Sequence, residues 1–128
     1  MRVLIIDDSK TMRGIERSVV ASFANTEVEE AADGQDGLSK AKAFRPELIL
    51  VDSNMPKMDG LAFVRALRQS DKHTPVLMVA SESEKSRVVE AIKAGVSGYV
   101  VKPFTPDLLN QRINEIISRM PHGLSKAA

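Results

Sequence analysis

Cysteine is absent from the 128-residue chain, which excludes disulfides and thiolate metal sites and fits a reducing compartment. Tryptophan is absent as well, tyrosine occurs once, and aromatic residues make up only 4%, too few for a platform on which bases could stack. Neither sign of charge dominates: 18 Lys and Arg against 17 Asp and Glu leave a formal net charge of +1. No general attraction to nucleic acid or acidic lipid follows from that balance. Long hydrophobic runs are missing too. The first apolar run, Val3 to Ile6, is cut by Asp7 and Asp8, too short for a signal peptide or a membrane span. The expectation is a cytoplasmic protein with no membrane insertion and no nucleic-acid partner.

What is present is an ordinary globular composition, 43% hydrophobic and 27% charged, of a length that suits one domain with its own core. Short apolar runs alternate with amphipathic ones. The segments Arg2 to Asp7, Thr26 to Ala31, Glu47 to Asp52, Pro75 to Ala80 and Gly98 to Lys102 read as strands by length and Val/Ile content. The first, third and fourth are almost continuously apolar, as in central parallel strands covered on both faces. Between them, helical spacing joins Met12, Ile15, Val19 and Phe23. It also joins Leu61, Val64 and Leu67; Val88, Ala91 and Ile92; and Leu108, Leu109, Ile113, Ile116 and Ile117. Gln35 to Phe44 is a weaker helix because it contains Gly37. Thr105-Pro106-Asp107 supplies a helix start, and Gly95 a stop for the helix before it.

Five strands alternating with five helices predict an α/β, three-layer, doubly wound fold with a parallel sheet and right-handed crossovers. In such folds the working site lies beyond the carboxyl ends of the strands. That rule selects Asp7 and Asp8, Asp52, Ala80 and Ser81, and Lys102. Two carboxylates about 4 Å apart repel by roughly 4 kcal/mol at an effective dielectric near 20, so gathered acids need a countercharge. Lys102 is one. A divalent cation is another, and a hard site with few oxygen ligands suits Mg²⁺. A carboxylate beside a cation and an ammonium suggests phosphoryl transfer to the carboxylate, with Asp52 as nucleophile.

The ordered set is Asp7-Asp8, then D-x-x-M-P-x-M-D-G from Asp52 to Gly60, then Lys102-Pro103-Phe104. With DDSKTMR (Asp7 to Arg13), EEAADG (Glu29 to Gly34), PVLMV (Pro75 to Val79) and AGVSGYVVKPFT (Ala94 to Thr105), it resembles the receiver domain of bacterial response regulators. Among these it is most similar to the single-domain chemotaxis regulators. The resemblance implies a flavodoxin-like (βα)5 fold with strand order 2-1-3-4-5 over residues 1–121, followed by a short tail over 122–128. It implies that Asp52 is the phosphoacceptor and that Mg²⁺ is held by Asp7, Asp8, Asp52 and the Asn54 backbone carbonyl, Asp8 more directly than Asp7. Lys102 would contact the phosphoryl group, and Tyr99 would be the rotating switch aromatic. One position departs: the family carries Thr or Ser where this chain has Ala80, with Ser81 next. Side chains alternate along a strand, so Ser81 should face away from the site unless a bulge turns it inward.

The implied partners are a histidine kinase or phosphotransfer protein upstream and a protein target downstream, bound by the fourth helix, fifth strand and fifth helix. The segment Pro121 to Ala128 is too short for an output domain, which points to action through a separate partner. A monomer is the expectation at rest, with dimerisation on activation the alternative. Two rival functions remain open. One is a degenerate receiver that binds partners without phosphorylation, suggested by Ala80. The other is an enzyme such as an aspartate-nucleophile phosphatase. That class needs an acid two residues beyond the strand-one nucleophile, where this chain has Ser9, and no phosphate-binding glycine loop follows the strand. Asp59 and Gly60 are read as shaping their loop. His73, His122 and the scattered Lys85, Arg87, Lys93, Arg112 and Arg119 are read mainly as solvated.

Overall fold

The computed structural model of the chain describes residues 1–120; the tail expected over 122–128, with His122, lies outside them. Strands β1 (Arg2–Ile6), β2 (Glu27–Ala31), β3 (Leu48–Asp52), β4 (Val76–Ala80) and β5 (Gly98–Val101) form one parallel sheet in the order β2-β1-β3-β4-β5. Helices α1 (Lys10–Val20), α2 (Gly34–Phe44), α3 (Gly60–Leu67), α4 (Val88–Ala94) and α5 (Pro106–Ser118) connect them. The doubly wound α/β architecture is the one expected from the alternation, and its flavodoxin-like strand order is the one the receiver resemblance implied.

The two faces of the sheet are covered by different helices because neighbouring residues on each strand point opposite ways. Val3, Ile5, Leu48, Leu50, Leu77, Val79 and Val100 pack with Val19 and Val20 of α1 and with Leu109, Ile113, Ile116 and Ile117 of α5. Leu4, Ile6, Ile49, Val51, Val76 and Met78 pack with α3 residues Phe63, Val64 and Leu67 and with Ala91 of α4, and α2 adds Leu38, Ala41 and Phe44. Residues of β3 and β4 are buried without exception, which is why their sequence is apolar without alternation.

The helix ends follow their sequence signals. Ser9, Asp33, Asp59 and Thr105 cap α1, α2, α3 and α5 by accepting from the backbone N–H three residues on. Gly95, at φ 113°, ends α4. Gly37 lets α2 approach the sheet closely: a Cβ there would sit 2.6 Å from Cδ1 of Ile6. One expectation is corrected. On α1 the inward stripe is not the one read from Ile15, which is 40% exposed; Glu16 takes the buried place, at 1%. A further turn, a 3-10 helix over Glu82–Arg87, precedes α4 and carries no apolar period from which to predict it.

Candidate functional site

At the carboxyl end of the sheet, β1 and β3 lie side by side, with Ile6 opposite Val51. Asp52 ends β3, and Asp7 and Asp8 follow β1 directly. Asp7 is fully buried and Asp52 is 4% exposed, whereas Asp8 is exposed. One carboxylate oxygen from each of the three lies within 4.8 Å of the others. Lys102, just past β5, places Nζ 2.8 Å from Oδ1 of Asp52, and its peptide bond to Pro103 is cis.

Local structure fixes these acids. Asp7 Oδ1 accepts from the Ser9 N–H at 2.9 Å, and Arg13 donates to the Asp7 carbonyl oxygen at 2.7 Å while also pairing with Glu30 at 2.9 Å. Asp52 is held from below by the loop that follows it. The Gly60 N–H donates to Ser53 O at 3.1 Å, and a Cβ at Gly60 would lie 2.5 Å from the Asp52 carbonyl oxygen. Only glycine lets α3 start so close beneath the strand end. Asp59 serves the same turn, capping α3 through the Ala62 N–H at 2.8 Å.

The electrostatics are those of crowded acids. Burial, with the charge of Asp52 adding to it, raises Asp7 to about 6, against the lowering effect of the Ser9 hydrogen bond. Burial likewise raises Asp52, with Asp8 and Glu84 contributing, although Lys102 pulls it down. Burial alone would lower Lys102; the hydrogen bond and charge of Asp52 outweigh it and leave the ammonium more basic than usual. Oδ2 of Asp7 is buried without a hydrogen-bond partner. Three acidic groups against one ammonium, a buried oxygen lacking a donor, and purely hard oxygen ligands together fit a small divalent cation such as Mg²⁺.

The other predicted residues surround these acids on neighbouring segments. Asn54 is exposed in the turn after Asp52. Ala80 is buried at 2% and lines a cavity of about 20 Å³ with Ser53, Leu61, Met78 and Glu84. The Ser81 hydroxyl donates to Glu84 at 2.7 Å. Tyr99, 36% exposed, lines an open groove with Val101, Leu108 and Arg112.

Sequence reasoning missed two features. Glu16 is buried on α1 with Oε1 unpartnered, and burial together with the charges of Asp7 and Asp52 raises it to about 8. Its signal was available, since it follows Met12 by four residues and precedes Val19 by three, on the helical stripe. The second is Glu84, which accepts from the hydroxyls of Ser53 and Ser81, a tertiary contact that no local pattern announces.

With this geometry established, comparison with known proteins gives a consistent answer. The family model of the response regulator receiver domain matches residues 3–114. The chemotaxis protein CheY of Pseudomonas aeruginosa is 40% identical over 122 residues, 94% of this chain and 98% of that protein. CheY-3 of Vibrio cholerae is 36% identical over 122 residues, 94% of each. The crystallised CheY4 of Vibrio cholerae superposes with a TM-score of 0.82 at 38% identity, covering 90% of this chain and 97% of that one. Receiver domains bind Mg²⁺ in an acidic pocket, and Asp7, Asp8 and Asp52 form such a cluster here. The chain belongs to the response regulator receiver family, in its CheY-like form, and is a signalling protein and not a metabolic enzyme of the usual kind.

Proposed function

We propose that residues 1–121 are the receiver of a cytoplasmic two-component or chemotaxis-type phosphorelay, in which a histidine kinase or phosphotransfer protein donates a phosphoryl group to Asp52. The observation that carries this reading is the 2.8 Å pairing of Lys102 Nζ with Asp52 Oδ1 inside the acidic cluster. Asp52 is buried enough to react out of bulk water yet is presented at the open end of the sheet.

An Asp52 carboxylate oxygen attacks phosphorus. A P–O bond forms as the P–N bond to the donor imidazole breaks, and the imidazole leaves with the electron pair. Lys102 already sits where a phosphoryl oxygen would arrive, so its ammonium can pass from the carboxylate to the transferred group. Asp7 and Asp8, with the Asn54 carbonyl, are the groups that would hold Mg²⁺ beside it; when bound, that ion offsets the negative charge gathering on the transferred oxygens. The modified protein then changes its affinity for a partner through α4, β5 and α5. In support, Val89 and Ile92 of α4 are 61% and 54% exposed, and Tyr99 stands next to the groove over β5 and α5. A monomer suits the resting state, with dimerisation on modification the alternative.

The test is intact-mass measurement after incubation with acetyl phosphate and Mg²⁺. One phosphoryl adduct is expected on the parent and none on Asp52→Asn, whereas Lys102→Ala retains labelling and loses the response at Tyr99. Ala80 favours a second reading, in which the same face binds its partner without phosphorylation; a parent that gains no mass yet still binds would establish it.

A further inference from the structure

Ala80 ends β4 without a polar group, yet the ends of β3 and β4 are tied together by a carboxylate. Glu84 Oε1 accepts from Ser53 Oγ at 2.6 Å, from Ser81 Oγ at 2.7 Å and from Ser81 N at 3.2 Å. The Glu84 N–H donates back to Ser81 O at 3.0 Å. Ser53 is the residue after Asp52 and Ser81 the residue after Ala80, so a single oxygen joins the two strand ends that flank the site. Ser53 and Glu84 of this bridge line the cavity of about 20 Å³ beside Ala80.

The bridge stands before the N-terminal end of α4, whose other end is held where Arg68 donates to the Gly95 carbonyl at 2.7 Å. Arg87 caps α4 without a side-chain hydrogen bond, whereas the other four helices are capped by Ser9, Asp33, Asp59 and Thr105. Within its span only Ala91 is buried. The turn before α4 also carries the pairing of Arg87 with Asp59, whose nitrogen and oxygen are 3.8 Å apart and whose side chains are 48% and 36% exposed, a weak contact. Such a segment opens at low cost.

Glu84 holds the hydroxyl of Ser53, the residue next to Asp52, and its charge adds to the upward shift that burial gives Asp52. The hydrogen bonds from Ser53 and Ser81 outweigh its burial and keep it ionised. Any negative charge added to Asp52 therefore meets a carboxylate already fixed in place.

We propose that Glu84 is the positioning residue of this receiver: its carboxylate latches the 3-10 turn and α4 to the strand ends while Asp52 is unmodified, and the added charge of a phosphoryl group on Asp52 drives the latch open. The inference rests on Asp52 as the phosphoacceptor. In this chain the β4 end is moved by repulsion from Glu84, where a hydroxyl at position 80 would have moved it by attraction to the phosphate.

The experiment compares amide spectra and hydrogen exchange of the parent, Glu84→Gln and Glu84→Ala with Mg²⁺, before and after addition of beryllofluoride as the phosphoryl mimic. In the parent, the mimic should shift the Ser81 amide and raise its exchange by about tenfold or more. Glu84→Gln keeps an acceptor oxygen without the charge: its resting spectrum should match the parent, and its Ser81 exchange should rise by less than about threefold. Glu84→Ala should exchange quickly at Ser81 from the start and respond little. A Gln variant that responds as fully as the parent overturns the latch, as does an Ala variant still protected at Ser81. Shifts around Asp52 and Lys102 with Ser81 unmoved overturn the latch while leaving the phosphoacceptor standing. No shift around Asp52 and Lys102 overturns the phosphoacceptor reading and the latch with it.

Discussion

Glu16 shows what one buried carboxyl does to its surroundings. Its ionisation is displaced from 4.5 to about 8 by burial, then by Asp7 and Asp52. The folded protein thus holds a proton that the unfolded chain releases near 4.5, so this group makes stability fall as pH rises between those values and leaves it flat above the upper one. Asp7, moved from 3.8 to about 6, acts in the same direction over a lower window. Glu16→Gln removes the larger effect, so in metal-free buffer the variant should be more stable than the parent by on the order of 3–5 kcal/mol at about pH 8.5. The two should converge near about pH 4, as read by urea denaturation at both values. Parallel stability curves would show that Glu16 ionises in the fold as it does in water. Asp7, Asp8, Asp52 and Lys102 were legible because each ends or follows an apolar strand, and a parallel sheet presents those positions together. Glu16 stands at helical spacing from Met12 and Val19 and so left a signal, but Ile15 offered a more apolar claimant to the same stripe, and only tertiary packing decides which of two neighbours turns inward.

At the scale of the element, strands were readable to within a residue or so at either end; in β1, β3 and β4 a nearly continuous Val/Ile/Leu run bounded by Asp or Pro leaves little freedom. The loop between β3 and α3 was legible in outline from Pro56, Asp59 and Gly60, but its tightness was not. Gly60→Ala puts a methyl group 2.5 Å from the Asp52 carbonyl oxygen, and the obstacle is backbone that cannot turn aside. The substitution should cost roughly 1–3 kcal/mol in urea unfolding and slow labelling of Asp52, because the loop moves the acid it supports. Unchanged labelling and stability would mean that α3 can shift away freely. The spacing of Val88, Ala91 and Ile92 announced α4, whereas the 3-10 turn before it escaped prediction: its hold comes from Ser53 and Ser81 outside the turn, and such hydrogen bonds leave no period.

For the whole molecule, alternation of strand and helix carried the fold class, while the strand order came with the receiver-family motifs. The division of helices, with α1 and α5 on one face and α2, α3 and α4 on the other, then delivers three acids and one lysine to the same end of the sheet. It leaves Val89, Ile92 and Tyr99 exposed on the elements assigned to the partner face. Every functional statement about that face depends on where the phosphoryl group goes, and this is open to direct chemical localisation. The protein is treated with phosphoramidate and Mg²⁺, the acyl phosphate is reduced with borohydride, and the homoserine formed is placed by peptide sequencing. Homoserine at position 52 alone is the expected result. Homoserine at Asp7 or Asp8, or a phosphorylated protein that yields none at position 52, would contradict the assignment of the site.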